Sequence, residues 1–156
     1  MVLNCEPMDA WEPILEQWQR IHRWHGRLLL AMEALPSTDA RQQAEVDDMA
    51  MAFFMHCYHL KDWLIETLLV DKAKIRKEFV HLHSAIQVCR DLANGAKHLS
   101  LRQPSLGETH SPRPTLLWEA GYPNVKLAQH AWTLADLAQE CLSLWQGYLK
   151  GLGFPE

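Results

Sequence analysis

Residues 90 to 98 read Arg90-Asp91-Leu92-Ala93-Asn94-Gly95-Ala96-Lys97-His98, a short segment that gathers two cations, a carboxylate, an amide and an imidazole. At helical spacing Arg90, Asn94 and His98 fall at i, i+4 and i+8. They share one stripe of a helix surface, with Lys97 beside it. A guanidinium presents a planar fork of donors that matches phosphate oxygens. An imidazole changes charge near neutral pH and can pass protons in either direction. Together these residues suit holding a phosphate and moving a proton. The same residues also make a structural cluster if Arg90 and Asp91 bridge helices, Asn94 caps and His98 bonds to backbone, an arrangement that fixes helix register without chemistry.

Charge is distributed in favour of the first use. The chain has 156 residues and a net charge of −4, which argues against a broad nucleic-acid surface. Residues 72 to 102 nevertheless carry Lys72, Lys74, Arg76, Lys77, Arg90, Lys97 and Arg102 against Glu78 and Asp91. That segment is therefore net positive inside an otherwise acidic chain, and its basic residues surround the polar strip.

A second group of polar residues lies earlier, in Met55-His56-Cys57-Tyr58-His59-Leu60-Lys61-Asp62. His56 and His59, and likewise His59 and Asp62, stand at i, i+3 on one helix face. They read either as support for a site or as half-buried polar residues of the core. Metal-ligand spacing is weak. His22-x-x-His25, His56-x-x-His59 and His81-x-His83 occur, but no Glu-x-x-His pairs with a second one, and no two of the four Cys stand close in sequence. No metal or cofactor is expected. Asn94-Gly95 is a single glycine and not a phosphate-cradling loop.

The elements that must position the strip follow from apolar spacing. Residues 9 to 35 carry Trp11, Ile14, Leu15, Trp18, Ile21, Leu28, Leu29, Met32 and Leu35 at helical intervals, with Asp9 as the expected cap and Pro13 in the first turn. A second helix is expected from Thr38 or Asp39 to about Leu69, and a third from Lys72 to about Leu99 with Asp71 as its cap. Residues 100 to 124 are punctuated by Pro104, Gly107, Pro112, Pro114, Gly121 and Pro123, with 103–113 as a mobile loop and Thr115–Trp118 as a short extended piece. The last helix is expected over about 125–150, along Leu127, Ala131, Leu134, Leu137, Cys141, Leu144, Trp145 and Tyr148. Short links make the first three helices antiparallel neighbours, so residue 59 should lie level with 82 or 83.

The expected fold is thus all-α: a single domain over residues 1–156, a four-helix up-and-down bundle with a long Pro/Gly-containing loop between its third and fourth helices. Cys57, Cys89 and Cys141 fall on apolar faces and should be buried reduced thiols. Seven Trp should sit in the core or at a subunit interface. No apolar run reaches the roughly 18 residues of a membrane span, no membrane association is expected, and Met1 to Ala10 lacks the pattern of a secretory signal. The expected compartment is the cytoplasm.

A His- and Asp-bearing second helix combined with Arg90-Asp91-x-x-Asn94-Gly95-x-Lys97-His98 late in the third resembles the HEPN superfamily. In that family an Arg, often followed by Asn, Asp or His, precedes a His on a four-helix bundle. Arg90-Asp91 matches the first part and His98 the second, across a gap wider than the family's usual one. The resemblance implies a metal-independent endoribonuclease of toxin or defence type with a composite site at a homodimer interface, or a non-catalytic RNA-binding relative, with an antitoxin or other protein as partner. His98 would then act as base or acid, Arg90 would clamp the phosphate, and Asn94 would orient the imidazole. Lys97, Arg102 and Lys61 would contact RNA, and Asp91, His59 and Asp62 would support the site. Outside the resemblance, a protein-interaction bundle without catalysis and a metal-dependent bundle enzyme using His56, His59 and a further His are the other readings.

Overall fold

The computed structural model describes residues 7–97, 116–127 and 129–155. Helix α1 spans Pro7–Met32, α2 Ala40–Glu66, α3 Lys72–Ile75, α4 Ser84–Lys97 and α5 Leu134–Gly151. A single π turn, Arg76–Val80, continues α3. Three strands follow α4: β1 Leu116–Glu119, β2 Tyr122–Leu127 and β3 His130–Thr133.

The fold is mostly helical, as the apolar periodicity indicates, but it is not all-α. The strands form an antiparallel sheet in the order β1-β2-β3. The segment expected to open the last helix is β2 and β3, and α5 starts only at Leu134, where Thr133 accepts a hydrogen bond from the Asp136 N–H (3.1 Å). The expected extended piece is β1. Its hairpin to β2 turns through Ala120 and Gly121, both at positive φ (52° and 82°), as the tight twist of a two-residue hairpin requires. Gly121 is also pinned from outside. A Cβ there would lie 2.8 Å from both the Pro36 Cβ and the Ser37 nitrogen, and the Ser37 N–H donates to the Gly121 carbonyl (3.0 Å). The hairpin tip is thereby seated on the α1–α2 link. Trp118, one pair in from the turn, ties the hairpin to α2, donating from Nε1 to Asp47 Oδ1 (3.0 Å).

The third expected helix is broken. His81 N–H bonds back five residues to the Arg76 carbonyl (2.9 Å), the chain leaves helical geometry over residues 81–83, and α4 restarts at Ser84. Caps explain the other boundaries. Asp39 accepts from the Arg41 N–H (2.8 Å), and Asp71 accepts from the Ala73 and Lys74 N–H groups. Helix α1 begins at Pro7, so Asp9 lies within its first turn rather than before it, and Pro13 lies inside the helix, beyond the first turn. Expected loop residues 103–113 fall outside the described residues.

The core runs through the long helices. Ile14, Ile21 and Leu28 of α1 are buried with Phe53, Phe54, Leu60 and Leu64 of α2, Ile86, Val88 and Leu92 of α4, and Leu137 and Trp145 of α5. Contacts between Gln17 and His56 and between His25 and Phe53 run in opposite chain directions, so α1 and α2 are antiparallel. Cys89 Sγ donates to the Phe54 carbonyl (3.5 Å), close to the level that the short 67–71 link dictates for α2 against the third segment. Phe79 meets Trp145 and Tyr148, while Cys141 Sγ reaches the Ala85 carbonyl (3.6 Å), which sets α5 antiparallel to the segment from α3 through α4. Trp145 is fully buried, and the other six Trp lie partly buried around the core.

Candidate functional site

Helix α4 buries Ala85, Ile86, Val88, Cys89, Leu92 and Ala93 and turns Arg90 and Asn94 toward its half-buried flank. Asp91 departs from that division. Its side chain is 1% exposed, although a carboxylate withdrawn from water needs a charged or hydrogen-bonding partner. Arg90 is such a partner. Its Nε lies 3.5 Å from Asp91 Oδ1, and its side chain remains 26% exposed. The carboxylate therefore anchors the guanidinium from inside while part of it reaches solvent. Asn94 is half-buried one turn further along α4. Lys97 is the last residue of α4. Its side chain, together with His98 and Arg102, lies outside the described residues.

The second-helix residues do not join this group. By the Cys89–Phe54 register, Arg90 stands near residue 53, and Asp62 lies about 13 Å further along α2 at 1.5 Å per residue. Asp62 Oδ1 pairs with Lys61 Nζ at 3.3 Å. Lys61 is nearly buried, donates to Tyr58 Oη (3.1 Å) and packs over the Tyr58 ring. His59 is exposed.

His56 faces α1. Its ring stacks on Trp24 (centroids 6.0 Å apart), its carbonyl accepts from the buried Gln17 Nε2 (2.9 Å), and nearby His22 packs edge-on against Trp18. Burial pushes the pKa of His22, His25 and His56 below the ordinary imidazole value. The nearby His22 adds to that for His25, as do Arg20 and His59 for His56, whereas the Cys57 thiol opposes it for His22. Among the described residues, no three His, Cys, Asp or Glu side chains are grouped so that they could hold a metal ion.

No family model, curated protein or solved structure matches this chain.

Two further groups emerge only from the fold. Cys57 of α2, Cys89 of α4 and Cys141 of α5 are all fully buried free thiols, close enough to influence one another's ionisation. Burial opposes ionisation of Cys57, while the Cys141 and Cys89 thiols favour it; Cys89 is pushed well up by burial and by the other two thiols. The sequence places these cysteines on apolar faces, but only helix packing brings them together.

The other group lines a cleft of about 250 Å³ between the π turn and α5. Glu78, Phe79 and His83 form one wall, and Ser143, Gly147 and Tyr148 contribute to the other. Phe79 stacks on Tyr148 with centroids 4.5 Å apart and an interplanar angle of 29°. Tyr148 Oη is buried and has no hydrogen-bond partner among the described residues. Burial pushes its pKa up, and the Glu78 carboxylate adds to the rise, so the group is a phenol at neutral pH. No periodicity or motif announces this cleft, because a π turn has no simple sequence pattern.

Proposed function

We propose that this chain is an RNA-directed protein of HEPN-like type, acting without a metal, whose working strip is Arg90 and Asn94 continued by Lys97 and His98. The supporting observation is the Arg90–Asp91 pair. A nearly fully buried carboxylate holds a partly exposed guanidinium on a rigid helix, one turn from a half-buried amide. Such an arrangement sacrifices carboxylate hydration and places a cation where a phosphodiester could meet it. In this reading Arg90 binds the phosphate and stabilises charge developing on it. His98 takes the proton from a ribose 2′-hydroxyl or gives one to the leaving oxygen, and Asn94 orients it. The nucleophile restricts the reaction to RNA. A second copy of the chain completes the site, and an antitoxin-like protein is its natural regulator.

A mixed RNA pool incubated in EDTA with wild type and His98→Ala tests the reading. His98-dependent cleavage leaving cyclic-phosphate ends supports it. Absence of both cleavage and RNA binding by wild type overturns it.

The burial of Asp91 favours one other reading, an interaction bundle in which the Arg90–Asp91 pair fixes packing and performs no chemistry. It predicts that Arg90→Ala lowers the melting temperature while RNA affinity, if present, is unchanged.

A further inference from the structure

We infer that the outward stripe of helix α1 is a contact between two copies of this chain, which pair their α1 helices antiparallel about a two-fold axis beside His22. Helix α1 gives one face to the core, where Ile14, Ile21 and Leu28 are buried at every seventh position. One residue later in each case come Leu15, His22 and Leu29, on a stripe turned about 100° from the first. That second stripe is open. Leu15 and Leu29 are 43% and 45% exposed, Leu30 beside them is 67% exposed, and His22 is exposed as well. Gln19 and Gly26 fill the intermediate positions, so the stripe keeps the alternating four-three spacing with which helices pack along one another.

Gly26 shows how closely a partner can approach. Glycine weakens a helix interior, yet this one stands inside α1, and no neighbouring heavy atom lies within 4 Å of where its Cβ would be. With Leu29 and Leu30 it forms a hollow, and a side chain the size of Leu15 from a facing helix fills such a hollow. Charge identifies that facing helix. Glu12 and Glu16 stand in the first half of α1, and Arg20, Arg23 and Arg27 in the second. A second α1 laid parallel would oppose like charges, whereas an antiparallel one sets each acidic half on the other's basic half. Pairing Leu15 with Leu29 of the second copy also brings Trp18 to its Gly26, Glu16 beside its Arg27, and His22 to its His22. Every contact then occurs twice, as a two-fold interface demands. Glu16 bonds to Arg20 of its own helix (3.1 Å) and is still 61% exposed, so it can take the second copy's Arg27 as well. The contact uses α1 alone and stands apart from Arg90 on α4, so it does not depend on the RNA reading.

Sedimentation equilibrium of the full chain in low-salt buffer, over about 1–300 μM, measures the association. The variants are Leu15→Glu, Gly26→Gln, Glu16→Arg, Arg27→Glu and the last two combined. Wild type should show a reversible monomer–dimer equilibrium. Leu15→Glu and Gly26→Gln should each raise the dissociation constant about tenfold or more, and Gly26→Gln should do so without lowering the melting temperature of dilute protein, because a monomer has room for the new side chain. Each single charge reversal should weaken the dimer several-fold, and the combination should bring it back toward the wild-type constant. Residues 16 and 27 are three turns apart on one helix, so that rescue can come only from the second copy. A wild type that stays monomeric throughout overturns the inference. So does a dimer that Leu15→Glu leaves intact, or a double reversal no tighter than the single ones.

Discussion

Arg90 Nε lies 3.5 Å from Oδ1 of Asp91, the next residue in the chain, and the two side chains differ sharply in exposure, 26% against 1%. Adjacent helical residues point about 100° apart, so this contact requires the arginine to fold back toward the core edge. The carboxylate is the buried partner and the guanidinium the accessible one.

Asp91→Ala should therefore cost more than its size suggests. It removes the charge that anchors Arg90 and empties a buried position. A loss of about 1–3 kcal/mol is expected, the range for removing one member of a buried polar pair. Urea denaturation of Asp91→Ala and Asp91→Asn measures it. An unchanged midpoint in both would show that the pair contributes nothing to the fold.

Gly121→Ala should destabilise more than Gly153→Ala. Both glycines have positive φ, but only Gly121 would drive a Cβ to 2.8 Å from Pro36 and the Ser37 backbone. Strain at φ +91° alone costs Gly153→Ala about 1–2 kcal/mol. Gly121→Ala adds a clash and weakens the seat of the hairpin on the α1–α2 link. Thermal melts of the two variants rank them, and equal shifts would contradict the packing described for the hairpin tip.

Stability should fall as pH drops from 7 toward 5. His22, His25 and His56 have folded pKa values below the usual 6.5, chiefly through burial. The unfolded chain then binds protons more readily than the folded one once pH falls near 6.5, so acid favours unfolding. Asp47 has the opposite sign, since burial raises its carboxyl. Denaturation midpoints at pH 7.5, 6.5 and 5.5 should decline, and His25→Gln combined with His56→Gln should flatten the decline. A flat wild-type profile would contradict the partial burial of His25 and His56.

Much of this architecture is legible from residue types. Asp71 caps a helix where the sequence places it, α2 starts beside the expected Thr38 or Asp39, and the short link at 67–71 is enough to set Cys89 near Phe54. The sheet is harder to see because Leu127, Ala131 and Leu134 mimic helical spacing, while the turn that decides the matter is only Ala120-Gly121. The break at residues 81–83 is hidden in the same way, since Ile75, Phe79, Leu82 and Ile86 keep an unbroken helical rhythm across it. For the strip, the residue types are visible but the burial of Asp91 is not. That burial depends on the packing around α4, which no local pattern encodes.

Cys57, Cys89 and Cys141 should resist iodoacetamide in the native state and react together once the protein unfolds. All three are fully buried in one cluster, so alkylation waits on opening of the core. Mass spectrometry across a urea series should show their labelling rising with the unfolding transition. Rapid labelling of one of them in native buffer would show that the cluster opens locally.

The most direct test of the central proposal is cleavage of a mixed RNA pool in EDTA by wild type, Asn94→Ala and His98→Ala. The account predicts cyclic-phosphate products from wild type, a drop of about 10²–10⁴-fold for His98→Ala as expected for loss of a general acid or base, and a smaller drop for Asn94→Ala. Equal cleavage by wild type and His98→Ala, or neither cleavage nor RNA binding by wild type, would contradict it.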